Sequence, residues 1–408
     1  MRRAMTSRKV AFCAIATAFC FLAIPSHAVN INAVPSIALE ETWDSNIFNL
    51  SENERGDFIF RARPDLTLFF ETYQTTVRLS GGFEFERYAD HDELDDDTAT
   101  KYLNMTVTEP LRLTPRFSLL PSARYIETDD SNRRNVLQQD PIPGLPPSST
   151  VVTTRNTEKN FRGSLRLLYL LTPNVDFSLG GGWEKRDFVG DVSASDEEDS
   201  QTIFGDVAVE YRNTPRFSYG AFVNVGHNTF DNNPDSMTYA GGLTGTWLLS
   251  QYYVLNARAG ASYLKQDAGA TQPKDEQWSP TGSLSLTYTW QYFQATLLGS
   301  YELAGGGNFG QTTERGTVSL ALKNQFAARW WWDLSGSYQT NVSVANSSTE
   351  DIDTMEASAG LRYTAREWAT LRLSGNFLHQ VSHGSDGSDI DRGSIFLGVD
   401  LSTFYRLY

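Results

Sequence analysis

The chain of 408 residues carries 34 Lys and Arg against 49 Asp and Glu, a formal net charge of −15, and has a mean hydropathy of −0.37. So acidic a chain is a poor partner for nucleic acid. Its two cysteines, Cys13 and Cys20, lie near the N-terminus, so everything beyond residue 28 is without disulfide, Cys-based zinc or thiol chemistry.

Residues 1–28 read as a cleaved export signal. Arg2, Arg3, Arg8 and Lys9 form a basic start, Val10 to Ile24 an apolar core, and Ser26-His27-Ala28 a small-x-small cleavage pattern. The core is shorter than the roughly 20 residues of a spanning helix. Phe12 and Phe19 stand where a lipoprotein signal wants a small residue. Cleavage would leave 30 basic residues (34 less four) against 49 acidic ones, a net charge of −19 on residues 29–408. No second long apolar run follows, so no spanning helix is expected, and no linker divides residues 29–408 into separate domains.

From Ser36 onwards the chain alternates. Phe58, Phe60, Leu66, Leu68 and Phe70 oppose Arg61, Arg63, Asp65 and Thr67; Phe161, Leu165, Leu167 and Tyr169 oppose Arg162, Ser164 and Arg166. Later runs are cleaner, as in Ser283 to Trp290, where every even position is apolar, and in Ile395, Leu397, Val399 and Leu401. Successive strand side chains point to opposite faces, so each run has one oily and one polar face. Between the runs, Thr114-Pro115-Arg116-Phe117-Ser118 recurs as Thr214-Pro215-Arg216-Phe217-Ser218, with a looser copy at Thr172-Pro173-Asn174. Proline pre-sets a turn and cannot donate to a sheet ladder, so these are turns between strands.

Turn centres fall near residues 73, 113, 172, 213, 251, 291, 329 and 366, mostly about 40 apart. That spacing predicts about nine hairpins, hence an all-β, antiparallel up-and-down transmembrane barrel of about 18 strands (roughly 16–20). These turns are short, whereas the opposite ends are long and acidic, as in Asp90 to Asp97 and Asp191 to Asp199. Short periplasmic turns and long outer loops are the outer-membrane arrangement. Trp247, Trp290, Trp330, Trp331, Trp332 and Trp368 gather on the short-turn side, where headgroup-level aromatic rings belong. The long step between turns 113 and 172 contains Asp129 to Arg155, rich in proline, which either folds inward as a constriction or stays a surface loop. The end of the chain, Phe404, Tyr405 and Tyr408 above all, resembles the terminal strand read by barrel-assembly machinery, although Thr403 departs from it.

Chemistry is harder to find. Gly305 to Gly310 contains GxGxxG, but strand periodicity follows it where a dinucleotide fingerprint needs a helix. His91, His227, His379 and His383 have no triad context, and the acidic loops lack calcium-loop spacing, so no catalytic, cofactor or metal residues are expected. The informative positions are charges on the polar face: Arg61, Arg63, Arg78, Glu84, Glu86, Arg124, Arg162, Arg166, Glu210, Arg258, Lys323, Arg362 and Arg372. A basic side chain facing lipid costs about 2–4 kcal/mol at mid-membrane, so these are expected to line the lumen. There they either form a track for a hydrated solute or brace the wall.

Glu40-Glu41-Thr42-Trp43-Asp44-Ser45-Asn46-Ile47-Phe48, followed by Asp57 to Pro64, resembles the opening of β-barrel porin family 2, with an E-x-x-D-x-N-hydrophobic element and then a D-F stretch. Arg87-Tyr88-Ala89-Asp90 fits its second hairpin, and Trp43 replaces the usual Tyr or Phe. The resemblance implies an outer-membrane exit for an exopolysaccharide, with periplasmic export components as partners beside outer-membrane lipid and the assembly machinery. The alternative is a passive diffusion or uptake porin for small hydrophilic solutes. A barrel enzyme acting on lipid or polysaccharide stands behind both.

Overall fold

The computed structural model describes residues 30–129, 157–189, 199–231, 233–268, 275–304, 312–343, 351–383 and 389–407. The expectations for the export signal, the 129–155 loop beyond Asp129, the glycine-rich segment at 305–310 and Tyr408 lie outside them.

Local alternation becomes one continuous antiparallel sheet. Its first part is β1 (Asn30–Asp44), β2 (Asp57–Glu71), β3 (Thr76–Tyr88), β4 (Asp96–Val107), β5 (Leu111–Thr114), β6 (Phe117–Thr128), β7 (Thr157–Thr172) and β8 (Val175–Val189). Then come β9 (Ser200–Thr214), β10 (Phe217–Phe230), β11 (Ser236–Leu248), β12 (Tyr253–Gln266), β13 (Asp275–Trp290) and β14 (Phe293–Ala304). The last are β15 (Thr313–Ala327), β16 (Trp330–Ser343), β17 (Asp351–Arg366), β18 (Ala369–Ser382), β19 (Ile390–Ser402) and β20 (Tyr405–Arg406).

Two staves of the wall are interrupted. β4 and β5 both pair with β6, broken near Pro110, which has no N–H to donate. β19 and β20 both pair with β1. Twenty strands less these two interruptions give 18 staves. The sheet closes where β1 runs antiparallel to β19, from Ser36 opposite Ser402 to Asp44 opposite Ser394. Closure leaves no sheet edge, the condition for a sheet in lipid. The eight short turns fall at 72–75, 115–116, 173–174, 215–216, 249–252, 291–292, 328–329 and 367–368, on or within about two residues of the centres read from the spacing.

The two faces differ as the alternation requires. Large apolar side chains such as Val223, Leu243, Leu284, Leu297, Val318, Leu320 and Leu373 stand exposed on the outside. Aromatic contacts bound this band on the turn side through Phe217–Trp247, Tyr253–Tyr288, Phe293–Trp332 and Trp330–Tyr363. A second girdle lies towards the loops, in Phe161–Trp183, Tyr239–Tyr263 and Tyr263–Trp278. Tyr253 and Tyr263 lie on one stave; ten residues at ~3.4 Å each, tilted about 40°, put the girdles ~26 Å apart, close to the height of an outer-membrane apolar band.

One aromatic departs from expectation. Trp331 pairs in register with Gln325 and Arg362, on the inward face, while Trp330 and Trp332 point outward. A run of three tryptophans in a strand must place its middle one on the opposite side. The basic residues also divide by face. Lys101, Lys159, Lys185 and Lys265 share the outward parity near the loop end, with Glu127 bridging Lys101 at 3.2 Å and Lys159 at 3.8 Å. Lysine stems can lie along an apolar surface while the ammonium reaches headgroups or water.

Candidate functional site

All thirteen charges singled out from the sequence have inward parity in the register. They do not form one ring. Those on β2 and β3 make a buried lattice: Arg61 Nε donates to Glu86 at 2.6 Å, an Arg61 Nη donates to Thr42 at 3.0 Å, and Tyr88 donates to Glu86 at 2.9 Å. Arg63 pairs with Asp65 at 3.2 Å and with Glu84 at 3.8 Å. On the next group of staves Arg166 pairs with Asp206 at 3.2 Å and Arg162 with Glu184 at 3.6 Å. Arg362 reaches Asp333 at 3.1 Å, and Arg372 reaches both Glu40 and Asp400 at 2.8 Å. Arg258 stacks its guanidinium 3.4 Å from the Phe222 ring centre. Arg124 adjoins Arg162 and Asn104 in register, Glu210 adjoins Asp176, and Arg78 and Lys323 lie near the turn end.

A repeated device lets partners meet across an intervening stave. Gly82 lies in register between Asp65 and Tyr102, which hydrogen-bond over it. Gly180 lies between Arg166 and Asp206, and Gly398 between Arg372 and Glu40. A Cβ at Gly82 would fall 2.1 Å from Asp65 Oδ1, and one at Gly180 2.2 Å from Asp206 Oδ1. At these positions the missing side chain is the space through which the bond passes.

The inward face is graded along the axis. Near the loops, Arg186 and Glu158 pair at 3.0 Å with side chains only 3% and 2% exposed. Near the turns, Arg362 and Asp333 are 45% and 33% exposed. Two interactions in the loop half join staves that are not neighbours: Arg162, on the sixth stave, feels the charge of Arg315 on the fourteenth, and Ser236 Oγ is 2.9 Å from Thr312 Oγ1. The described inward side chains are therefore more open to solvent at the turn end and more closely packed towards the loops.

Several of these residues were not among the sequence candidates. Arg186, Arg315 and Arg392, with Glu158, Glu184, Asp206 and Glu302, carry the same inward parity and could have been found by extending the alternation to each stave's loop end. The E-x-x-D-x-N element has a structural role. Arg392 on β19 grips Asp44 at 2.7 Å and Asn49 at 2.9 Å, while Asn46 bonds Leu50 O and Asp391 O. Ile47 packs with Ile59 and Tyr88 under Phe48 and Leu94. The element thus locks the seam between first and last staves. Of the histidines, His91 bonds Asp57, His379 bonds Asp391 on the outward face, and His383 bonds Asp353. No group of three or more metal-ligating side chains occurs among the described residues.

Comparison with known proteins adds little identity to this geometry. A family described as "Protein of unknown function, DUF481" matches residues 148–300, fewer than half of the chain and away from the residues that resemble porin family 2. No curated protein matches. Among solved structures, OccAB3 of Acinetobacter baumannii is 10% identical, with a TM-score of 0.49, over 92% of this chain and 99% of that one. The outer membrane protein opdK of Pseudomonas aeruginosa is 13% identical, with a TM-score of 0.47, over 91% and 99%. OccK5 (OpdH) of the same organism is 10% identical, with a TM-score of 0.45, over 91% and 98%. The barrel assignment rests on the chain's own register. What the site can do chemically follows from its lining: it offers hydrogen bonds and ion pairs to polar groups.

Proposed function

We propose that the protein is an outer-membrane channel through which small hydrophilic solutes diffuse, its short turns in the periplasm and its long loops outside the cell. The observation that carries this reading is the pairing of an apolar outer band, bounded by two aromatic girdles, with an inward face of charged and hydroxyl side chains. A closed barrel of this stave number encloses an aqueous lumen unless something fills it. The graded lining supports selection at the loop half, where Arg162 lies in the field of Arg186 and Arg315, and free entry at the turn half, where the lining is more exposed. Polysaccharide exit draws no support from the comparisons, and the close packing of inward side chains in the loop half favours small solutes over a polymer.

Liposome swelling tests the proposal. Vesicles holding the refolded protein should swell in neutral solutes at rates that fall steeply with solute size. Vesicles that stay osmotically tight to the smallest solutes, with the barrel folded in them, would overturn it.

A further inference from the structure

Buried polar atoms in a folded protein are almost all hydrogen-bonded, so a group of exceptions points to something that binds there. Leaving aside Arg315 Nε, whose guanidinium is held by Glu302, five such atoms fall on one inward patch spanning β15, β16 and β17: Thr317 Oγ1, Gln339 Nε2, Asn341 Nδ2, Thr354 Oγ1 and Glu356 Oε1. None has a partner among the described residues. Thr317, Gln339 and Thr354 lie side by side in the register; Asn341 is one inward position towards the loops, and Glu356, beside Ser337, one towards the turns. Gln339, Asn341 and Thr354 are 5%, 3% and 2% exposed. The patch is about 10 Å wide, the span of three neighbouring strands.

We propose that this patch is a binding site for a neutral polyhydroxylated solute, a sugar or sugar alcohol. The inference rests on the channel reading and names what the channel recognises. The donor set is mixed and close-set: two amides, two hydroxyls that donate or accept, and one carboxylate that accepts. Adjacent hydroxyls on a ligand, each both donor and acceptor, satisfy such a set. An anion would meet Glu356, and a cation would leave the amide N–H groups unpaired. The neighbouring Arg315 is already held by Glu302 at 2.8 Å. On the turn side the wall continues in small hydroxyl residues, Ser319, Ser335, Ser337 and Ser358, of which exposed Ser335 and half-buried Ser358 bond each other at 2.6 Å. Ion pairs flank the patch on its own and a neighbouring stave, Arg315 with Glu302 towards the loops and Arg362 with Asp333 towards the turns, and others line β2 to β9.

Saturation-transfer NMR on the purified full-length barrel in detergent, with glucose as probe and gluconate and glucosamine as charged comparators, measures this directly. Glucose should receive saturation from the folded protein, and more than either comparator. Thr354→Val and Gln339→Leu should each weaken glucose binding about tenfold; Glu356→Gln, which keeps shape, should weaken it several-fold. Folding of each variant is checked by heat-modifiable mobility, and the near-isosteric Glu356→Gln and Thr354→Val keep the test open if Gln339→Leu does not fold. No transfer to glucose, equal binding by folded variants, or preference for a charged comparator would overturn the site and leave water as its occupant. A barrel that conducts but binds no glucose loses the site alone. One that binds glucose but does not conduct loses the channel reading.

Discussion

Gly180 offers the sharpest test of how the inward lattice is held. It lies between Arg166 and Asp206, and a Cβ there would sit 2.2 Å from Asp206 Oδ1. Alanine must push that carboxylate away from Arg166, whose Nη2 donates to its two oxygens at 3.3 and 3.2 Å. The side chains are 25% and 15% exposed, between a surface pair and a buried one, so losing their charge-assisted bonds costs about 1–2 kcal/mol. Gly180→Ala should therefore destabilise the barrel by about 0.7 kcal/mol net, the lost bonds less the roughly 0.5–1 kcal/mol by which alanine ordinarily improves a strand. The assay is urea unfolding of protein refolded in lipid vesicles, followed by tryptophan fluorescence. With Asp206→Ala already present, the same change should cost nothing or stabilise by up to about 1 kcal/mol, because the clash and the pair are both gone. Gly205→Ala, whose Cβ would lie 3.7 Å from Gly180 O, is the neutral control. A Gly180→Ala protein as stable as the parent, or a cost unchanged by Asp206→Ala, would refute the reasoning.

Three further substitutions probe other parts of the account. Leu243→Arg, at an outward position 69% exposed between the girdles, should cost about 2–4 kcal/mol in the same lipid assay; no cost would mean that this face does not meet hydrocarbon. Arg61→Met takes the 2.6 Å cation from buried Glu86 and leaves Glu84 to Arg63, and should cost about 3–5 kcal/mol, checked by the urea midpoint at constant m-value. The double change Arg162→Ala with Arg315→Ala removes two cations that act on each other across the barrel, so single-channel conductance should rise at least about twofold, by loss of an electrostatic barrier. Unchanged conductance would place the narrowest point elsewhere.

The wall was legible in the sequence because its cause is local. A strand's two-residue period sorts Leu320 outward and Arg166 inward wherever the chain pairs, and proline at 115, 173 and 215 marks turns that no ladder tolerates. The same period, applied strictly, would have put Trp331 inward; clustering by composition grouped it with Trp330 and Trp332 instead. The site was legible only as a list of inward charges. Which of them meet depends on register across two or three staves, as in Arg372 reaching Glu40 over Gly398, and a single sequence carries no register between distant strands. The polar patch had no sequence signal at all. Thr317, Gln339 and Thr354 are ordinary wall residues until the pairing sets them side by side and burial leaves their polar atoms unmatched.

The central claim is that a water-filled path runs through this barrel. Planar-bilayer recording of the refolded full-length protein, in potassium chloride on both sides, tests it most directly. The account predicts discrete, stepwise increases in conductance as single barrels insert, each with ohmic ion flow. Insertion of folded barrels, verified by heat-modifiable mobility, with no rise in current above the bare bilayer would contradict it.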